Sequence, residues 1–153
     1  MISVLATAII VYPNGETDKS LILSYNKGKA GIYQWTHKDS NKRYVDSAVD
    51  LSKRLSHYLN KSYLTKYKSM YIYKALLLHD YSLFSLTIFE YIDIFHLSKE
   101  DSRKLILEWK QLYIDSLVPE YNINSIAGSG LDSIQTEKTK EKLNQAMKDE
   151  NNP

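Results

Sequence analysis

The chain has 153 residues, of which 43% are hydrophobic and 25% charged, enough for one domain with a single core and too few for two domains of ordinary size. It contains no cysteine, so disulfides and thiolate metal sites are excluded. Its formal net charge of +2 conceals an asymmetry: Met1 to Lys74 carries 12 Lys and Arg against 5 Asp and Glu, whereas Ala75 to Pro153 carries 8 against 13. A basic first half suits contact with phosphates, because each neutralised phosphate releases a counterion; the competing reading is a solvated helix face.

In chain order, Ser3 to Val11 is rich in Val, Ile, Leu and Ala and predicts a strand, ended by Pro13, Asn14 and Gly15. This opening run has no basic leader and reaches Pro13 long before a membrane span is complete, and no arginine precedes Arg43, so neither a membrane partner nor an arginine-rich presequence is expected. A basic stretch from Asn26 to Gly31 leads into a second strand, Ile32 to His37. Asp39, Ser40 and Asn41 supply turn chemistry, and Lys42 to Ala48 is a third strand, so the pair reads as a β-hairpin.

Asp50 to about Tyr67 has helical periodicity, with Leu51, Leu55, Tyr58 and Leu59 on one face and Lys53, Arg54 and Lys61 beside it. Met70 to Leu78 predicts a shorter helix, and Ser82 to Tyr91 a further strand. Ser98 caps a helix whose first turn holds Glu100 and Asp101, which suits the positive end of the helix dipole, and which runs to about Leu117 before Pro119. Gly128, Ser129 and Gly130 form a junction, and Glu137 to Lys148 reads as a charged surface helix. The order of elements predicts an α+β domain with a small, mainly antiparallel β-sheet flanked by helices.

The hairpin strands carry Gly31, Ile32, Tyr33 and then Tyr44, Val45, Asp46, spaced like the paired signature of the GIY-YIG nucleases. Further matches follow in order: Ser47, Ala48, Leu51, Arg54, Leu55 and Tyr58; Tyr71, Ile72, Tyr73 and Ala75; Tyr113, Ile114, Asp115 and Leu117; Pro119 to Asn122; and Ala127, Gly128, Ser129. Over nearly its whole length the chain resembles the GIY-YIG domain of fungal mitochondrial intron-encoded homing endonucleases. That resemblance implies the GIY-YIG nuclease fold over 1–126, with 127–153 leading toward a DNA-binding region. It also implies a mitochondrial location, DNA as partner, and hydrolysis of phosphodiesters with magnesium. A non-cutting alternative is a domesticated protein bound to ribosomal or intron RNA.

The resemblance gives catalytic roles to Tyr33, Tyr44, Arg54, Tyr58 and Asn122. A tyrosine activates water, an arginine matches phosphate geometry, and a helix glutamate holds the metal. Two positions depart from the pattern. Lys110 stands in place of the metal-binding glutamate, and Asp46 in place of the glycine that ends the second signature. A lysine cannot coordinate magnesium, so no metal ligand is assigned. Glu108, two residues away, falls on nearly the opposite face of the helix and cannot substitute. Asp80, Asp132 and Asp149 likewise stand where glycines are expected, and Lys138 where glutamate is; each such change needs one G-to-A substitution, a pattern of directional decay. Lys110 is expected to occupy the vacated site and pair with Asp46. Residual nucleic-acid binding is assigned to Lys53, Arg54, Lys61, Lys66 and Lys68.

Overall fold

The computed structural model describes residues 8–67 and 69–122. The expected boundary at 126/127, the helix over Glu137 to Lys148, Lys68 and most of the opening strand lie outside these residues. Ten elements follow one another: β1 (Ile10–Tyr12), α1 (Lys19–Tyr25), β2 (Ala30–His37), β3 (Arg43–Ala48), α2 (Leu51–Tyr58), α3 (Lys61–Lys66), α4 (Tyr71–His79), a 3-10 turn (Tyr81–Leu83), β4 (Phe84–Ile92) and α5 (Lys99–Leu117). The fold class is α+β, as the sequence predicts. The four strands pair antiparallel in the order β1-β4-β2-β3, which leaves β3 at an edge.

Alternation along the strands builds two cores. Tyr33, Trp35, Tyr44, Phe84, Leu86 and Ile88 point to one face, where Ile22 of α1, Leu51, Leu55 and Tyr58 of α2, and Ile72 and Leu76 of α4 cover them. Ala30, Ile32, Val45, Phe89 and Ile92 point to the other face, where α5 contributes Ile106, Tyr113 and Ile114. The switch within β4 has a local cause. Ile32 pairs with Glu90 and Tyr33 with Ile88, so Phe89 is the extra residue of a bulge and the alternation inverts there. Gly31 is required beside it, because a Cβ at this position would fall 2.1 Å from the Glu90 carbonyl oxygen.

Two expectations change. The single helix over Asp50 to Tyr67 is two helices, because Asn60 has extended backbone geometry and its side chain accepts the Tyr63 N–H, which caps α3 and stops α2. The sequence reading assigned nothing to α1, a seven-residue helix with no side-chain cap and only Ile22 buried. The α5 helix begins as predicted, with the Ser98 hydroxyl accepting the Asp101 N–H at 3.0 Å. Asp80, where a glycine is expected, ends α4 at φ 76°, ψ 154°, a region almost confined to glycine. Among the described residues no helix is long and apolar enough to cross a membrane.

Candidate functional site

Register and helical spacing bring the signature residues together. In the hairpin Tyr33 lies opposite Asp46 and Trp35 opposite Tyr44, so alternation sends Tyr33, Tyr44 and Asp46 to the same face of the sheet. Asp50 caps α2 through the Lys53 N–H and fixes the helix so that Arg54 and Tyr58, one turn apart, face these side chains. Lys110 comes from α5, on the opposite face, and reaches Asp46 past the edge strand β3.

Asp46 is the hub of the cluster. Its Oδ1 meets Lys110 Nζ at 2.8 Å and accepts the Ser47 N–H at 2.8 Å. Its Oδ2 lies 3.2 Å from Tyr44 OH, 3.3 Å from Tyr33 OH, 3.4 Å from Tyr58 OH and 3.6 Å from Arg54 Nη2. Each phenol has a single proton, and one arrangement satisfies all of them. Tyr33 donates to Tyr58 at 2.9 Å, while Tyr58 and Tyr44 donate to Asp46. Arg54 then donates to Tyr58 at 3.3 Å and to Tyr73 at 2.9 Å. The expected Lys110–Asp46 pair is therefore formed, inside a network that uses every polar group at its centre.

The charges follow from this geometry. Burial alone pushes the Asp46 carboxyl up, but the Lys110 and Arg54 cations, with hydrogen bonds from Lys110 and Ser47, outweigh it and hold the group below its usual 3.8. Tyr33 and Tyr44 are driven the other way. Burial first, and the Asp46 charge second, raise both far above the usual phenol range, against a smaller opposing effect of Arg54. Tyr58 is raised by the same burial, with Arg54 opposing it. Burial, reinforced by the Asp46 charge, thus keeps these tyrosines neutral, and the opposing effect of Arg54 is too small to make one of them a base.

The residues present do not fit a magnesium ion. Such an ion is held by carboxylates and other oxygen donors in near-octahedral geometry. Here the single central carboxylate already carries an ammonium at 2.8 Å and a guanidinium at 3.6 Å, so a divalent ion at Asp46 would meet two cations at close range. Glu108 is exposed, as expected for the far side of α5, and no group of three or more acidic or histidine ligands exists among the described residues.

The other sequence-assigned residues lie apart from the hub. The Asn122 amide accepts the Val45 N–H and donates to the Val45 carbonyl, both at 2.8 Å, and so extends the hydrogen bonding of β3 at its edge. Arg54, grouped in the sequence with the nucleic-acid-binding lysines, turns inward to the network. Lys53 and Lys66 are exposed, and Lys61 pairs with Asp80 at 3.7 Å and lies over the Tyr81 ring. Sequence reasoning gave no role to Tyr73, the second partner of the Arg54 guanidinium. Its place in the matched run from Tyr71 to Tyr73 was the available signal.

No protein-family model and no curated protein matches the chain. Among solved structures, it is similar to the catalytic domain of the intron endonuclease I-TevI, in a glutamate-to-alanine variant, at 30% sequence identity and a TM-score of 0.48; the match covers 62% of this chain and 93% of that one.

Proposed function

We propose that this chain is a GIY-YIG nuclease domain of the mitochondrial intron-encoded type that binds nucleic acid and has lost metal-dependent cleavage. The observation that carries the reading is the 2.8 Å contact between Lys110 and Asp46. It sets an ammonium and a carboxylate where the sequence resemblance puts a glutamate and a glycine. Lys110 stands in for the metal ligand, and burial, reinforced by the Asp46 charge, holds Tyr33 and Tyr44 as neutral phenols. The remaining signature residues keep a shared structural purpose, since Arg54, Tyr58 and Tyr33 satisfy one another around Asp46.

The test is nicking of supercoiled DNA across a magnesium and manganese titration. The purified chain is expected to leave the DNA intact at every metal concentration. Cleavage by the unaltered protein that disappears in Tyr33→Phe contradicts the reading. The double variant Lys110→Glu with Asp46→Gly restores a carboxylate on α5 and a clear space on β3, and is expected to gain metal-dependent nicking.

A further inference from the structure

The second concentration of aromatic and basic chemistry lies outside the Asp46 network. From Leu51 to His79 the sequence has six Lys and Arg and no Asp or Glu. The same stretch carries a stack of rings that begins on α2 and runs across α3. The His57 imidazole lies on the Tyr63 ring at 4.2 Å and 5°, and Tyr63 meets Tyr67 at 4.6 Å and 42°. The series ends at Tyr67, tilted against Tyr63 and 46% exposed, and a further ring, Tyr71 at the start of α4, is 55% exposed. Cations accompany the rings: Lys66 Nζ lies over the Tyr67 ring at 5.6 Å from its centroid, Lys74 Nζ over the Tyr71 ring at 5.6 Å, and Lys53 lies one helical turn before His57.

We propose that this surface of α2, α3 and α4 binds single-stranded nucleic acid, an unpaired base continuing the stack on Tyr67 and the adjoining phosphates meeting Lys53, Lys66 and Lys74. An exposed ring at the end of a stack offers a flat face that any unpaired base can cover, and a duplex, whose bases are already stacked on one another, cannot use it. The absence of carboxylates along the stretch favours a polyanion. Tyr67 and Tyr71 are tyrosines with polar tips rather than the Trp, Phe and Leu of a membrane-inserting face. The inference rests on the reading of the domain as a nucleic-acid binder, and adds which strand state it prefers and which side chains choose it.

The test is fluorescence anisotropy with the full chain and four labelled probes: a short pyrimidine strand, the same strand as a duplex, an abasic strand of equal length, and anionic phospholipid vesicles. The pyrimidine strand is expected to bind more tightly than either the duplex or the abasic strand. Tyr67→Ala with Tyr71→Ala is expected to weaken strand binding at least about fivefold, with the dependence of affinity on salt unchanged. Tyr67→Phe keeps the ring and is expected to bind as the unaltered chain does. Lys53→Ala with Lys66→Ala is expected to lower the salt dependence. Equal binding of the abasic and base-bearing strands, or alanine variants with unaltered strand binding, overturns the stacking proposal while duplex binding leaves the wider reading in place. Failure to bind either strand or duplex, with or without binding to vesicles, overturns both.

Discussion

The two faces of the sheet are buried to a similar degree and built from different chemistry. The face under α5 is an almost wholly apolar packing of Ile32, Val45, Ile92, Ile106 and Ile114, with Tyr113 donating to Glu90 at 2.9 Å. The face under α1 to α4 holds Tyr33, Tyr44 and Tyr58 around a buried aspartate, so its order depends on charge and hydrogen-bond satisfaction as well as on volume. Stability on the first face should respond mainly to size, and on the second to charge balance as well. Lys110 links them, because a helix that packs on the apolar face supplies the cation of the polar one.

The largest expected effect comes from the apolar face. Ile32→Ala removes a side chain with no exposure and should cost about 4 kcal/mol in urea unfolding, equally at low and high salt. On the polar face, Lys110→Ala takes away the nearer of the two cations beside Asp46 and leaves the more distant Arg54, and should cost about 3 kcal/mol. Adding Asp46→Gly should recover much of that loss, since the stranded charge is then gone. A double variant no more stable than Lys110→Ala alone breaks the distinction between the faces.

A smaller change, of opposite sign, is expected at Asp80. Its φ of 76° with extended ψ strains any residue with a Cβ, and what the side chain gains is the Tyr81 N–H at 2.9 Å and an exposed pair with Lys61 at 3.7 Å. Asp80→Gly should therefore stabilise the domain by about 1 kcal/mol, read as a higher urea midpoint. A lower midpoint contradicts the assignment of this position as one built for glycine.

The smallest effect is on pH dependence. Burial opposes ionisation of Asp46, but Lys110 and Arg54 prevail, so the folded state binds this proton less readily than the unfolded chain. Its contribution is therefore complete above the usual 3.8 and is lost as pH falls below it toward the lowered folded value. In Asp46→Asn that part of the acid loss should vanish, while Ile32→Ala should keep it. Urea midpoints measured across this pH window decide the point.

Much of this was legible in the sequence where the signal is local. The Ser98 cap, the Asp39 to Asn41 turn and the alternation in β2 and β3 all act over a few residues. The break between α2 and α3 was not, because Asn60 reads equally as a polar position on one long helix and as a cap; only the backbone geometry separates these. The seven-residue α1 follows Asp18, whose side chain makes no cap hydrogen bond, and the helix carries no charge pattern to announce it. Within the site, Tyr33, Tyr44, Arg54 and Tyr58 follow from the signature, and two departures from it were enough to expect the Lys110–Asp46 pair. The grip of Asn122 on Val45 spans 77 positions in the chain and depends on where α5 ends, which no local pattern encodes.

The central claim is that an ammonium has taken the place of the metal, and the most direct test is a crystal of the unaltered chain soaked in manganese, with the anomalous signal mapped around Asp46. The account predicts no manganese within ligand distance of Asp46, and Lys110 Nζ remaining in contact with its carboxylate at the 2.8 Å found here. An anomalous peak bound by Asp46 and Tyr33, with Lys110 turned away, contradicts it and returns the domain to the active nucleases.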